Sequence, residues 1–238
     1  MSYWSPHYFP LAPLFLLALF VLLGLLIVFI QIGILRYAYE KIGVSRQYVF
    51  SILIFSLLGS YVNIPIAQLP PQQVLSNQEV SYFGMRYVIP MVQAWPGTVV
   101  ALNLGGAIIP TALSCYLIVK RRIYGPALLG VTIVATVVYL SAEPVYGIGI
   151  AVPIFLPPLL AAGVALMLAR QAAPPLAYIS GSLGTLIGGD LLNFDKIQTL
   201  GAPVASIGGA GTFDGIFLTG ILAVLLAGAG IRLSRHGP

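Results

Sequence analysis

Two aspartates, Asp190 and Asp214, are the residues of this chain best placed to do chemistry. Each lies in a strongly apolar stretch that holds no Lys or Arg to pair with it. Two carboxyls a few ångströms apart cannot easily both ionise, so one keeps a proton. The ionised partner could then activate water while the protonated one polarises a carbonyl. The same groups could instead bind a proton or a small cation. Both stretches are glycine-rich, with Gly188 and Gly189 before the first aspartate and Gly211 before the second. Asn63, Asn103 and Asn193 add amide groups that could bind substrate or ion. Other chemistries find little material. The two histidines, His7 and His236, sit at opposite ends, and Cys115 is the single cysteine. Neither a His-ligated metal, a disulfide nor a Ser–His nucleophile is expected, and no cofactor is implied.

The elements that carry these residues must be transmembrane helices, packed in the interior of a bundle. Of 238 residues, 59% are hydrophobic and 7% are charged. A soluble domain carries about 25% charged residues, so this chain could not cover a water-facing surface. Apolar runs of membrane-spanning length recur throughout, and the reading is an all-α, polytopic transmembrane bundle forming one domain. About seven spans are expected, at 11–35, 48–67, 98–119, 125–142, 148–169, 175–193 and 208–231. The first run has no basic residue before it and is too long for a signal peptide, so it reads as a retained helix. The net charge of +5 falls in short clusters between apolar runs, which argues against nucleic acid.

Those clusters set an orientation. One set of joints holds Arg36, Lys41, Arg46, Lys120, Arg121, Arg122, Arg170, Arg232 and Arg235, whereas the other holds Arg86 and Lys196. The positive-inside rule then predicts an extracytoplasmic N-terminus and a cytoplasmic C-terminus in the cell membrane. In that frame Asn63, Asn103, Asp190 and Asp214 fall in one layer, roughly 5–10 Å below the outer boundary. Their convergence from four helices is the main functional signal. Glu143, before Pro144, reads as interfacial, and Asp195 beside Lys196 as a solvated pair. The long joint at 68–97 lies outside. Its stretch from Val80 to Val88 reads either as an interfacial anchor or as a strand edge able to pair with an extended peptide.

An internal echo is also visible. Asn103-Leu104-Gly105-Gly106-Ala107 matches Ser206-Ile207-Gly208-Gly209-Ala210, each entering a helix from outside. Leu58-Gly59-Ser60 and Leu183-Gly184-Thr185 occupy the preceding helices. Together they suggest parallel repeats in a 3+1+3 arrangement, a transporter device.

Two resemblances follow from these residues. The block from Gly181 to Leu226, with Asn63-Ile64-Pro65 and the segment from Asn103 to Pro110, resembles an uncharacterised family of bacterial and archaeal membrane proteins. That family implies no activity. Gly211 to Phe217 is similar to the GxGD signature of presenilin and signal-peptide-peptidase-type proteases. That resemblance implies a dyad of Asp190 and Asp214. It departs from the pattern at Phe213, lacks a Tyr before Asp190, and no eighth or ninth helix follows. The sequence thus supports three functions: an intramembrane aspartyl protease acting on membrane-embedded peptide, a proton- or cation-coupled transporter or channel for a small solute, and a non-catalytic subunit of a membrane complex. Oligomerisation stays open.

Overall fold

The computed structural model describes residues 20–25, 33–70, 72–82, 85–95, 97–145, 149–197, 203–209 and 215–235. The chain divides into two compact units, Met1–Tyr37 and Ala38–Pro238. Residues 20–25 of the first unit are helical.

The second unit is mostly helical. Its helices are α1 (Ile34–Ile42, beginning in the first unit), α2 (Arg46–Gly59), α3 (Ile109–Arg121), α4 (Tyr124–Ser141), α5 (Leu156–Leu168), α6 (Ala173–Thr185) and α7 (Gly215–Arg235). Two π-helical segments extend this set: Leu104–Ile108 leads into α3 and Leu186–Leu191 continues α6. Two helical stretches, Leu104–Arg121 and Tyr124–Ser141, are long and apolar enough to cross a membrane. Much of their apolar surface faces outward, as at Leu128 and Leu140.

The expected all-α architecture needs correction, because the described residues also hold strands. The span expected over 48–67 stops being helical after Gly59 and becomes β1 (Asn63–Gln68). Pro65 has no amide to donate and disfavours a helical residue before it, so β-branched Ile64 and Ile66 run extended. The span expected from 98 begins as β4 (Val99–Asn103), again β-branched at its start. The segment expected to start a helix at 148 contains β6 (Gly149–Ala151), paired with β5 (Glu143–Val145), and α5 starts only at Leu156. Pro157 and Pro158 fix that start, where a missing amide costs nothing. The outer joint is a hairpin of β2 (Gln72–Tyr82) and β3 (Met85–Trp95). Its strand-rich stretch is therefore paired within the chain.

The central sheet has the order β1–β4–β7, where β7 is Val204–Ile207. β1 runs antiparallel to β4, with Asn63 opposite Asn103. β7 runs parallel to β4, with Leu102 opposite Ile207. Both members of the echo thus end parallel, neighbouring strands.

Around the sheet, α6 is the hub. Every residue of it except Leu183 is buried, and α3, α4, α5 and α7 pack against it. Small residues permit this: a side chain at Gly184 would strike Val134 of α4, and Gly181 lies against Ala161, Thr219 and Ala223.

Candidate functional site

Asn103 shows how the site is anchored. It closes β4 and its side chain is 1% exposed. Its Oδ1 accepts from the Gly106 amide at 2.8 Å, capping the π segment that follows. Its Nδ2 donates to Ser60 O at 2.7 Å and to Asn63 Oδ1 at 3.1 Å. Ser206 Oγ donates to the same Asn63 oxygen at 2.5 Å. Three strands are thereby tied at one level by side chains. Both Nδ2 hydrogens of Asn103 are committed to protein acceptors, so this residue holds backbone in place.

Asp190 meets the same level from the other side. It stands on the π segment beyond α6, partly buried, and its Oδ2 accepts from the Gly208 amide at 2.6 Å. Gly208 has φ +81, a left-handed conformation that disfavours other residues. A side chain there would also crowd the Ala107 amide at 2.6 Å. Asp190 therefore grips the turn at the end of β7, two residues beyond Ser206.

The other expected site residues divide by role. Asn193 is fully buried and donates to Gly188 O at 2.9 Å and Gly189 O at 3.1 Å, closing the end of the π segment. Its Oδ1 accepts from Lys196 Nζ at 2.7 Å, and that ammonium also lies 4.9 Å from the Tyr139 ring centre. Lys196 is thus engaged by Asn193 and Tyr139, while Asp195 is exposed. Gly188 lets the chain touch the α4 backbone, since a Cβ would collide with Ala135 O. Its role is close approach. Gly189, also buried, has ordinary room for a side chain, with Val152 3.6 Å and Val138 3.9 Å from a would-be Cβ. Asp214 and Gly211 lie outside the described residues.

A cleft of about 170 Å³ opens beside Asp190. Its walls include Thr185, Gly189, Asp190, Gly208, Gly215 and Thr219, together with Ile150, Val152, Pro153 and Ile154. Gly215, the residue that follows Asp214 in sequence, thus lines the same cleft as Asp190. Thr185 is 9% exposed, and its hydroxyl has no hydrogen-bond partner among the described residues.

The chain belongs to a family of proteins of unknown function, DUF1614. The match covers residues 57–226 and so takes in the whole site, from Ser60 to Thr219. No curated protein and no solved structure matches the chain.

Thr185, Thr219 and Ser206 were not singled out as site residues from sequence. Their signal there is slight, because hydroxyls are common in apolar helices and only the fold brings these three to one region.

Proposed function

We propose that this protein is a multi-pass membrane protein that carries a proton or a small cation through the cleft at Asp190, as a transporter or channel. One observation carries the reading: a carboxylate shares a cleft with an unpartnered buried hydroxyl and grips a glycine turn on another element. A bond to an ionised carboxylate is roughly twice as strong as a neutral one. Protonation or cation binding at Asp190 weakens its hold on the Gly208 amide, so ion occupancy and the position of the β7–α7 junction are linked. The two parallel strand-to-helix junctions add support, since transporters often bind their ions where repeats meet.

The membrane frame belongs to the same proposal. Seven spans, with the N-terminus outside and the C-terminus in the cytoplasm, accord with the basic residues at the α3–α4 joint and with the outward apolar faces of both long helices. Cys115, exposed on α3, tests the orientation. Impermeant thiol reagents added outside intact cells should not reach it, and rapid external labelling would reverse the topology.

Ion flux in proteoliposomes tests the function. Wild-type protein should carry protons or sodium ions, and Asp190→Asn should reduce that flux to the level of protein-free vesicles. A second reading, an aspartyl protease, is favoured by Gly215 lining the cleft beside Asp190. It requires cleavage of a membrane-embedded peptide that both Asp190→Asn and Asp214→Asn abolish. If wild type shows neither activity, the non-catalytic subunit is left.

A further inference from the structure

Buried hydroxyls continue away from the cleft along one face of α6. Thr185, Ser182 and Tyr178 are spaced by three and four residues, so they stack on a single face. Ser182 is 0% exposed and Tyr178 is 1% exposed. Ser182 Oγ, like Thr185 Oγ1, has no hydrogen-bond partner among the described residues. Ser180 on the same helix behaves differently, donating to Leu176 O at 2.8 Å. A serine that merely fills space satisfies itself in this way, by bonding back to its own helix. Ser182 and Thr185 do not.

The far end of the row reaches α1. The Tyr39 side chain is 0% exposed and its hydroxyl also has no partner among the described residues. Tyr178 lies close enough to act on it electrostatically, and burial together with Tyr178 holds the Tyr39 phenol well above its ordinary range. The next two residues, Glu40 and Lys41, are partly exposed and exposed, so the surface of α1 begins one residue beyond the row. Three of the four buried unpartnered side-chain atoms among the described residues lie on this one line.

One glycine lets α7 close on the line. A Cβ at Gly220 of α7 would sit 2.5 Å from Ser182 Oγ and 2.9 Å from the Tyr178 ring. With no side chain there, both groups pack directly on the α7 backbone.

We propose that Thr185, Ser182, Tyr178 and Tyr39 form a proton relay linking the Asp190 cleft to the surface beside Glu40. The proposal rests on Asp190 as the ion site and names the ion as a proton. Each hydroxyl accepts a proton on an oxygen lone pair and releases its own to the next oxygen or to an intervening water. No oxygen changes its charge over the full transfer. The α6 portion, from Thr185 to Tyr178, spans roughly 10 Å at 1.5 Å per residue.

The test uses full-length protein in proteoliposomes, with a trapped pH dye, a potassium-diffusion potential and parallel sodium-tracer uptake. Wild type should acidify the lumen. Ser182→Ala and Thr185→Val should cut proton flux to background, while Thr185→Ser, which keeps the hydroxyl, should retain it. Both deletion variants should melt at or above the wild-type temperature, because a buried hydroxyl without a partner adds no stability. A flux lost only together with folding would show up as a lowered melting temperature and would overturn the relay. Proton flux that needs Asp190 but survives Ser182→Ala and Thr185→Val also overturns it, leaving the ion site intact. Sodium uptake without proton uptake, abolished by Asp190→Asn, overturns the relay and keeps the ion-site reading. If Asp190→Asn changes neither flux, the ion-site reading itself fails.

Discussion

The two strand-to-helix junctions share a glycine pair and differ in what secures them. At the first, β4 passes into the π segment and α3, and Asn103 caps its own chain through the Gly106 amide. At the second, beyond β7, the Gly208 amide is held by Asp190, which comes from the far end of α6. A neutral amide with its hydrogen bonds filled has no second state to adopt. A carboxylate does, because it can gain a proton or meet a cation. Under the ion role proposed for Asp190, sequence-matched turns serve as a fixed anchor and as an ion-responsive contact. The identity and origin of one capping side chain decide which.

The largest effects should come from the glycines common to both junctions. A Cβ at Gly105 would overlap Ser56 O and the Ser60 amide, and one at Gly208 would meet the Ala107 amide. Gly105→Ala and Gly208→Ala should each cost about 3 kcal/mol, read as a lowered melting temperature in detergent. If Gly208→Ala is tolerated, the second junction is looser than the first and the shared packing is illusory.

The capping residues should then separate. Asn103→Ala removes the bonds to Ser60 O and the Gly106 amide, and should lower stability by about 2 kcal/mol. Asp190→Asn keeps an oxygen for Gly208 and should stay within about 1 kcal/mol of wild type, while ion flux is lost. The reverse ranking would make Asn103 the responsive group and Asp190 the structural one.

Smaller still is Ser206→Ala. It removes one bond to Asn63, which keeps its bond from Asn103, and should cost less than about 1 kcal/mol in thermal unfolding.

The smallest effect concerns pH. The Tyr39 phenol titrates well above its ordinary value when folded, so above about pH 10 the unfolded chain has lost a proton that the folded chain keeps. Stability must fall as pH rises there. Tyr39→Phe should flatten that alkaline limb in a melting-temperature profile and leave neutral-pH stability nearly unchanged. A limb unaltered by the substitution would place its origin elsewhere.

Much was legible in residues whose meaning is local. The apolar stretches around Ala112 and Val134 announce long helices by length and composition alone. Asn63 and Asn103 do meet, opposite each other across β1 and β4, but as strand residues, so the helical count that gave them a common depth does not apply. The asymmetry of Lys and Arg bears on orientation without any structure. Less legible were the interruptions. Ile64-Pro65-Ile66 and Val99-Val100 carry strand chemistry inside runs hydrophobic enough to pass as helix ends, and hydropathy does not distinguish an extended apolar segment from a helical one.

Asp190 was visible from sequence as an isolated charge in an apolar stretch, because charge and hydropathy are properties of each residue. Its contact with Gly208 was not, because a hydrogen bond across 18 positions depends on how α6 and the sheet pack. The same holds for Thr185, Ser182 and Gly220. Only the seam between α6 and α7 leaves two of them without partners and the third without a side chain between them. Composition and hydropathy determined that this chain forms long apolar helices and carries a carboxylate, Asp190, in an apolar stretch. Tertiary packing decided what that carboxylate touches, since close approach depends on which backbone faces lack a Cβ and on which donors the fold leaves unpaired.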